Sequence, residues 1–206
     1  MRRCAVVRSG LVVACALTGG CIPVALPPMG IGAAGGFGNA AQSKHVEAVF
    51  AADAKVRPLA AVGSARTRPI DVGAGIALEA SGDFVRYGPA LDVRTYPLSG
   101  ALSPTARARL GMGVEGRVFW DDRGNAGPNA ALFVTGELAG WTNGDCSTST
   151  SRNGVLFGCY YGETGVGVRL QASHGFMADA QVWTVTLGLE VRIPLLIAIM
   201  FFIPSN

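Results

Sequence analysis

The chain has 206 residues, half of them hydrophobic and only 15% charged, with 29 Gly and 11 Pro. That length suits one domain, the glycine and proline content argues against a helical bundle, and no run reaches the ~18–20 consecutive apolar residues of a membrane helix. The formal charge of +3 comes from Arg2, Arg3 and Arg8; without them basic and acidic residues balance at fourteen each, which removes the electrostatic argument for a nucleic-acid partner.

Residues 1–20 have a basic start, an apolar stretch from Gly10 to Leu17 and small residues before Cys21, the layout of a secretory signal peptide. Leu17-Thr18-Gly19-Gly20-Cys21 resembles a bacterial lipoprotein signal. In that family Leu stands three residues before the cysteine, whereas here it stands four before, with Thr18 in its place. The resemblance implies that Cys21 becomes the acylated N-terminus, carrying palmitate-class chains. Ile22 instead of Asp after it implies delivery to the outer membrane. The alternative is an ordinary signal cleaved near Gly20, with Cys21 incidental.

Cys4 and Cys15 leave with the leader, so Cys146 and Cys159 are the remaining pair. They flank a Ser/Thr tract, and in an oxidising compartment they are expected to form a disulfide that pins an external loop. The absence of a CxxC motif or a His/Cys cluster argues against a metal site. Residues 21–43, rich in Pro, Gly and Ala, are expected to be a flexible tether, leaving 44–206 as the folded domain.

From residue 45 the dominant signal has period two. Seven alternating runs cover His45–Pro58, Ile70–Ala80, Arg86–Thr95, Ala106–Trp120, Leu132–Trp141, Tyr160–Ser173 and Trp183–Ile193. They are longer than ordinary globular strands of about five or six residues. They suit tilted strands that cross a bilayer in about 9–11 residues. Within these runs every charge lies on one face. The other face, from Val46 and Phe50 through Val114 to Leu187 and Leu189, carries none.

Two barrels fit this pattern. A soluble, lipocalin-like periplasmic lipoprotein would bury the apolar face around an apolar ligand. A membrane barrel would turn that face to lipid and enclose the charges. Only two lysines occur in the chain, whereas balanced Arg and carboxylate suit a desolvated interior in which guanidinium forks hold carboxylates. The membrane barrel is therefore preferred. Its candidate interior network is Asp53, Arg57, Asp92, Arg94, Arg107, Arg109, Glu115, Arg117, Glu137, Arg169, Glu190 and Arg192.

The connections alternate in length. Ser81–Phe84, Asp121–Asn129 and His174–Ala178 read as short turns; Leu59–Pro69, Leu98–Thr105 and Asn143–Gly158 read as longer loops. Short periplasmic turns opposite long external loops are usual in outer-membrane barrels. Tyr87, Trp120 and Trp183 fall near the short-turn end, where an aromatic girdle would sit. In these features the chain resembles the small outer-membrane barrels of the OmpA and OmpX type. Thr186–Ile193 resembles the terminal-strand signal read by the barrel assembly machinery, which would then be a partner, along with outer-membrane lipids. The resemblance implies an all-β, antiparallel up-and-down barrel of eight strands. Seven strands are clear, and the apolar tail Leu195–Ile203 is taken as the eighth.

Other chemistry is weaker. Gly111-Met112-Gly113-Val114-Glu115-Gly116 matches GxGxxG, but it lies inside an alternating strand and not at a strand-to-helix turn. Ser173-His174 invites comparison with outer-membrane lipid A acyl hydrolases, yet no matched acid accompanies the pair. Asp121-Asp122 reads as a solvated turn. The expectation is a non-enzymatic outer-membrane lipoprotein without cofactor, with a structural or envelope-interaction role and a closed ionic interior in place of a pore.

Overall fold

The computed structural model describes residues 21–39, 45–61, 69–82, 84–151, 154–177 and 180–202; the expected leader at 1–20 lies outside the described residues. The strands are β1 (Cys21–Leu26), β2 (Met29–Asn39), β3 (Val46–Val56), β4 (Ile70–Ala80), β5 (Val85–Ala101), β6 (Ala106–Asp121), β7 (Ala126–Ser151), β8 (Gly154–Met177), β9 (Ala180–Ile193) and β10 (Leu195–Phe202). A 3-10 turn, Pro58–Ala61, follows β3.

Strands β2 to β9 form a closed, eight-stranded, antiparallel up-and-down barrel. Each pairs with its neighbour in the chain, and β9 closes the ring on β2, from Met29 opposite Ile193 to Asn39 opposite Trp183. Because side chains alternate across a strand, the period-two pattern sends one set inward and the other outward. Val114 is 55% exposed and its neighbour Glu115 only 2%, so the apolar face is the outside of the barrel.

This overturns two expectations. The segment 21–43 is not a tether, since β1 and β2 occupy most of it, and β2 is the eighth barrel strand. Its inward positions are Gly30, Gly32, Ala34, Gly36 and Gly38, because neighbouring groups fill the space their side chains would need. A Cβ at Gly32 would overlap the Asp53 carboxylate, and one at Gly36 the carbonyl of Val185. The apolar tail, in turn, lies outside the barrel ring. Leu195–Phe202 continues the line of β9 beyond Pro194 and pairs with the upper part of β8, Leu195 opposite Tyr161 to Phe202 opposite Gly154.

Strand β1 likewise continues the line of β2 across Pro27-Pro28 and pairs with β10, from Leu26 opposite Leu196 to Cys21 opposite Phe201. Proline cannot donate to a ladder, and at this rim the Pro28 carbonyl instead accepts the Arg57 N–H at 2.8 Å. Four adjacent wall strands thus rise past the rim as a sheet in the order β1-β10-β8-β7. The expected loop at 143–158 is part of it, a ladder in which Cys146 lies opposite Cys159. A register shift between Asn143 and Asp145, and Gly162 at φ +114°, mark the bend where β7 and β8 leave the barrel.

At the opposite rim the strands follow one another through short connections. These are 40–45, 81–84, 122–125 and 178–179, so the turn after β6 is shorter than expected and β7 begins at Ala126. In that turn the Asp121 carboxylate accepts the Arg123 and Asn125 N–H groups at 3.0 and 2.7 Å, with Gly124 at φ +82°. Outward aromatics gather near these turns. Tyr87 lies opposite Trp120, Phe37 meets Trp183 edge-on at 6.2 Å, and His174 meets Phe176 at 5.6 Å. From Trp120 to Leu110 on β6, and from Trp183 to Ile193 on β9, the outward face runs ten residue steps. On a strand tilted ~40° that is about 25 Å, the height of the apolar band of a membrane barrel.

Candidate functional site: the ionic lumen

The lumen is assembled from inward positions of seven strands. It receives Asp53, Lys55 and Arg57 from β3 and the residue after it, Asp71 and Glu79 from β4, and Arg86, Asp92 and Arg94 from β5. Strand β6 supplies Arg109, Glu115 and Arg117, β7 Glu137, β8 Glu163 and Arg169, and β9 Glu190 and Arg192. All are buried except Asp53, which is half-buried. They number eight cations and eight carboxylates, and each makes an ion pair with another of the set.

The pairs connect from one rim toward the other. Arg109 joins Glu163 and Glu137, at 2.5 and 2.8 Å. Arg94 joins Glu137 at 2.6 Å and Glu190 at 2.9 Å. Arg57 links Glu190 at 3.3 Å with Asp92, on which its fork closes at 3.1 and 2.9 Å. Lys55 holds Asp92 at 3.2 Å, Glu115 at 2.8 Å, and Asp53. Arg117 connects Glu115 to Glu79, both at 2.5 Å, and Glu79 pairs with Arg86. Charges removed from water persist only when paired and hydrogen-bonded; this ladder meets that requirement by sharing most carboxylates between two or three cations.

Eleven of the twelve candidate interior residues lie in this ladder. Arg107 does not: it is half-buried near the open end of the β5–β6 hairpin, donating to Ser99 Oγ at 3.2 Å. The candidate set omits Lys55, Asp71, Glu79, Arg86 and Glu163, whose place on the charged face was the available signal. It also omits three inward aromatics that the guanidinium groups stack against. Arg169 and Arg94 flank Phe133 at 4.1 and 5.2 Å, Arg86 and Arg117 flank Phe119 at 5.0 and 5.5 Å, and Arg109 and Arg192 flank Tyr96 at 4.1 and 5.7 Å.

On β7, β8 and β9 the lining toward the short-turn rim is uncharged, whereas Glu79 and Arg86 pair beside the 81–84 turn. Asn129 donates to Ser173 Oγ at 3.4 Å, and Ser173 and Thr184 share a hydrogen bond of 2.7 Å. Ser173 is therefore inside the barrel while His174 is exposed outside it, so the two neighbours stand on opposite faces of the wall and do not form a nucleophile–base pair. The glycines of the GxGxxG match lie within β6 and bind no helix N-terminus. Among the described residues there is no group of three or more His, Cys, Asp or Glu side chains arranged to hold a metal ion.

A cavity of about 30 Å³ lies beside Asp53, Arg117, Arg169 and Gln171, room for about two water molecules. Among the described residues the interior is lined by paired charges and not by an apolar chamber, which weighs against the lipocalin-like alternative.

A closed antiparallel barrel satisfies its own backbone hydrogen bonds, the condition for spanning hydrocarbon. With an uncharged apolar exterior and an ionic interior, the chain is a small transmembrane β-barrel of the bacterial outer-membrane type. No protein-family model matches it, and no curated protein is similar to it in sequence. Among solved structures it is similar to the KdgM porin in complex with disordered oligogalacturonate, at 9% identity over 83% of this chain and 90% of that one, TM-score 0.28. It is also similar to Ail, the attachment invasion locus protein of Yersinia pestis, at 13% identity over 84% and 99%, TM-score 0.25. A second KdgM porin structure is similar at 9% identity over 82% and 98%, TM-score 0.25. It is the chemistry of this chain's own wall and lumen that assigns the class.

Proposed function

We propose that the protein is a non-conducting outer-membrane barrel with a structural or envelope-interaction role. The observation that carries this reading is the lumen, in which sixteen paired charges and three stacked aromatics occupy the space a pore would need. Eight strands enclose room for side chains or one small ligand, not for an aqueous channel. The purified barrel in planar bilayers is expected to give no discrete conductance steps. Regular steps that depend on the protein would refute the closed lumen.

The proposal includes a signal peptide at 1–20, acylation of Cys21, insertion by the barrel assembly machinery and a Cys146–Cys159 disulfide. Cys21 opens β1 at the end of the β1–β10 ladder farthest from the barrel. Five residue steps separate it from Leu26, about 17 Å. An acylated Cys21 therefore requires the rim sheet to lean onto the bilayer surface. Mass spectrometry of the mature N-terminus is expected to show a diacylated cysteine. An unmodified N-terminus at Ile22 or nearby would remove the anchor and leave the barrel assignment intact.

A further inference from the structure

We infer that the rim sheet β1-β10-β8-β7 is the periplasmic surface of this protein and that the four short turns face the outside. This reverses the sidedness that connection length alone suggests, and it rests on the outer-membrane barrel reading. The argument is topological. With β2 as the first barrel strand and β9 as the last, both ends of the barrel wall lie at one rim, and it is the elaborated one. That rim carries the connection 57–69, the β5–β6 hairpin, the tall β7–β8 hairpin, and both β1 and β10.

A chain delivered by a leader enters the outer membrane from the periplasm, so whatever lies outside has crossed the hydrocarbon. In the inferred orientation only four hairpin tips cross, at 40–45, 81–84, 122–125 and 178–179. Each belongs to two strands that pair with one another, and each is at most six residues long. In the opposite orientation both chain ends would cross as well. The segments β1 and β10 are not joined to each other by a turn. Their ladder is formed between the two ends of the chain, so each would traverse the bilayer without the partner that satisfies its backbone groups.

Outward aromatics mark the bilayer boundary near the short turns, as Tyr87 opposite Trp120 and Phe37 against Trp183 show.

Epitope insertion in cells producing the full chain tests the orientation. One epitope follows Gly124 in the β6–β7 turn and another follows Ser103 in the β5–β6 hairpin, both exposed. Folding is checked by heat-modifiable migration, and an insertion after Gly82 replaces the first if it fails that check. Antibody is expected to bind the Gly124 epitope on intact cells and the Ser103 epitope only after the outer membrane is permeabilised. Binding of the Ser103 epitope on intact cells, or a Gly124 epitope revealed only by permeabilisation, would overturn the orientation. Recovery of the protein in the soluble fraction would instead refute the barrel assignment on which the inference rests.

Discussion

Arg107 and Arg109 share a face of β6, yet only Arg109 is enclosed, 4% exposed between Glu163 and Glu137. Removing one partner of a buried ion pair strands the other charge and costs about 3–5 kcal/mol, whereas an exposed pair contributes ~0–1 kcal/mol. Arg109→Ala is therefore expected to lower the denaturant midpoint of the refolded barrel strongly, and Arg107→Ala to leave it nearly unchanged. Equal effects in urea unfolding would show that the lumen is not desolvated. The two substitutions also mark the limit of the alternation as a guide. Both arginines sit on the charged face, and only the height of the barrel rim, which period two does not encode, separates them. Tyr96, Phe119 and Phe133 differ: alternation places them on the charged face, but period two carries no sign of the guanidinium groups that lie against each ring. The cysteines call for a separate test. Directly opposed positions on antiparallel strands lie within disulfide reach, and Cys146 and Cys159 are so opposed. Thiol labelling of denatured protein is expected to tag neither without reductant and both after it. Labelling of both without reductant would exclude the bond, whose loop closure is otherwise worth ~3 kcal/mol at most.

At the scale of elements, the sequence points to the tail as the eighth strand and to 21–43 as a tether, whereas β2 completes the barrel and β10 prolongs β9, each for a physical reason. Strand β2 keeps period two, but its inward residues are glycine or alanine because neighbouring side chains at Gly30 and Gly32, and the β9 backbone at Gly36 and Gly38, take up the space. The Arg57 Nε, for example, would stand 2.7 Å from a Cβ at Gly30. Glycine at Gly30, Gly32, Gly36 and Gly38 was the legible trace, and in a Pro/Gly/Ala-rich context it read as flexibility. Strand β10 is an apolar run of strand length, which with seven alternating runs makes it the expected eighth strand; the structure places it as the β9 line prolonged beyond Pro194. The seven alternating runs were recovered because each carries charges on one face only, although the strands built on the fifth and sixth extend well past the predicted ends. A chain ending at Pro194 separates the two assignments of the eighth strand. It keeps all eight barrel strands, so it is expected to refold and retain heat-modifiable migration. Loss of the barrel on truncation would return the eighth place to the tail.

Across the whole molecule the two surfaces have exchanged their usual chemistry. The outside is apolar over a band of about 25 Å, and inside it, among the described residues, a ladder pairs eight cations with eight carboxylates. This inversion is the central claim, and Val114 and Glu115 test it with adjacent residues of one strand. Glu115 meets Lys55, Arg117 and Arg169, so Glu115→Ala leaves three cations short of a partner and is expected to cost about 3–5 kcal/mol. Val114 faces outward, where detergent or lipid takes up the space left by the lost methyl groups, so Val114→Ala is expected to cost less than ~1 kcal/mol, with no cavity term to pay. Equilibrium unfolding of the two refolded variants in detergent compares them directly. A much larger loss for Glu115→Ala is the predicted result; a larger loss for Val114→Ala would mean that the apolar face is the core and the charged face the surface, and would contradict the account.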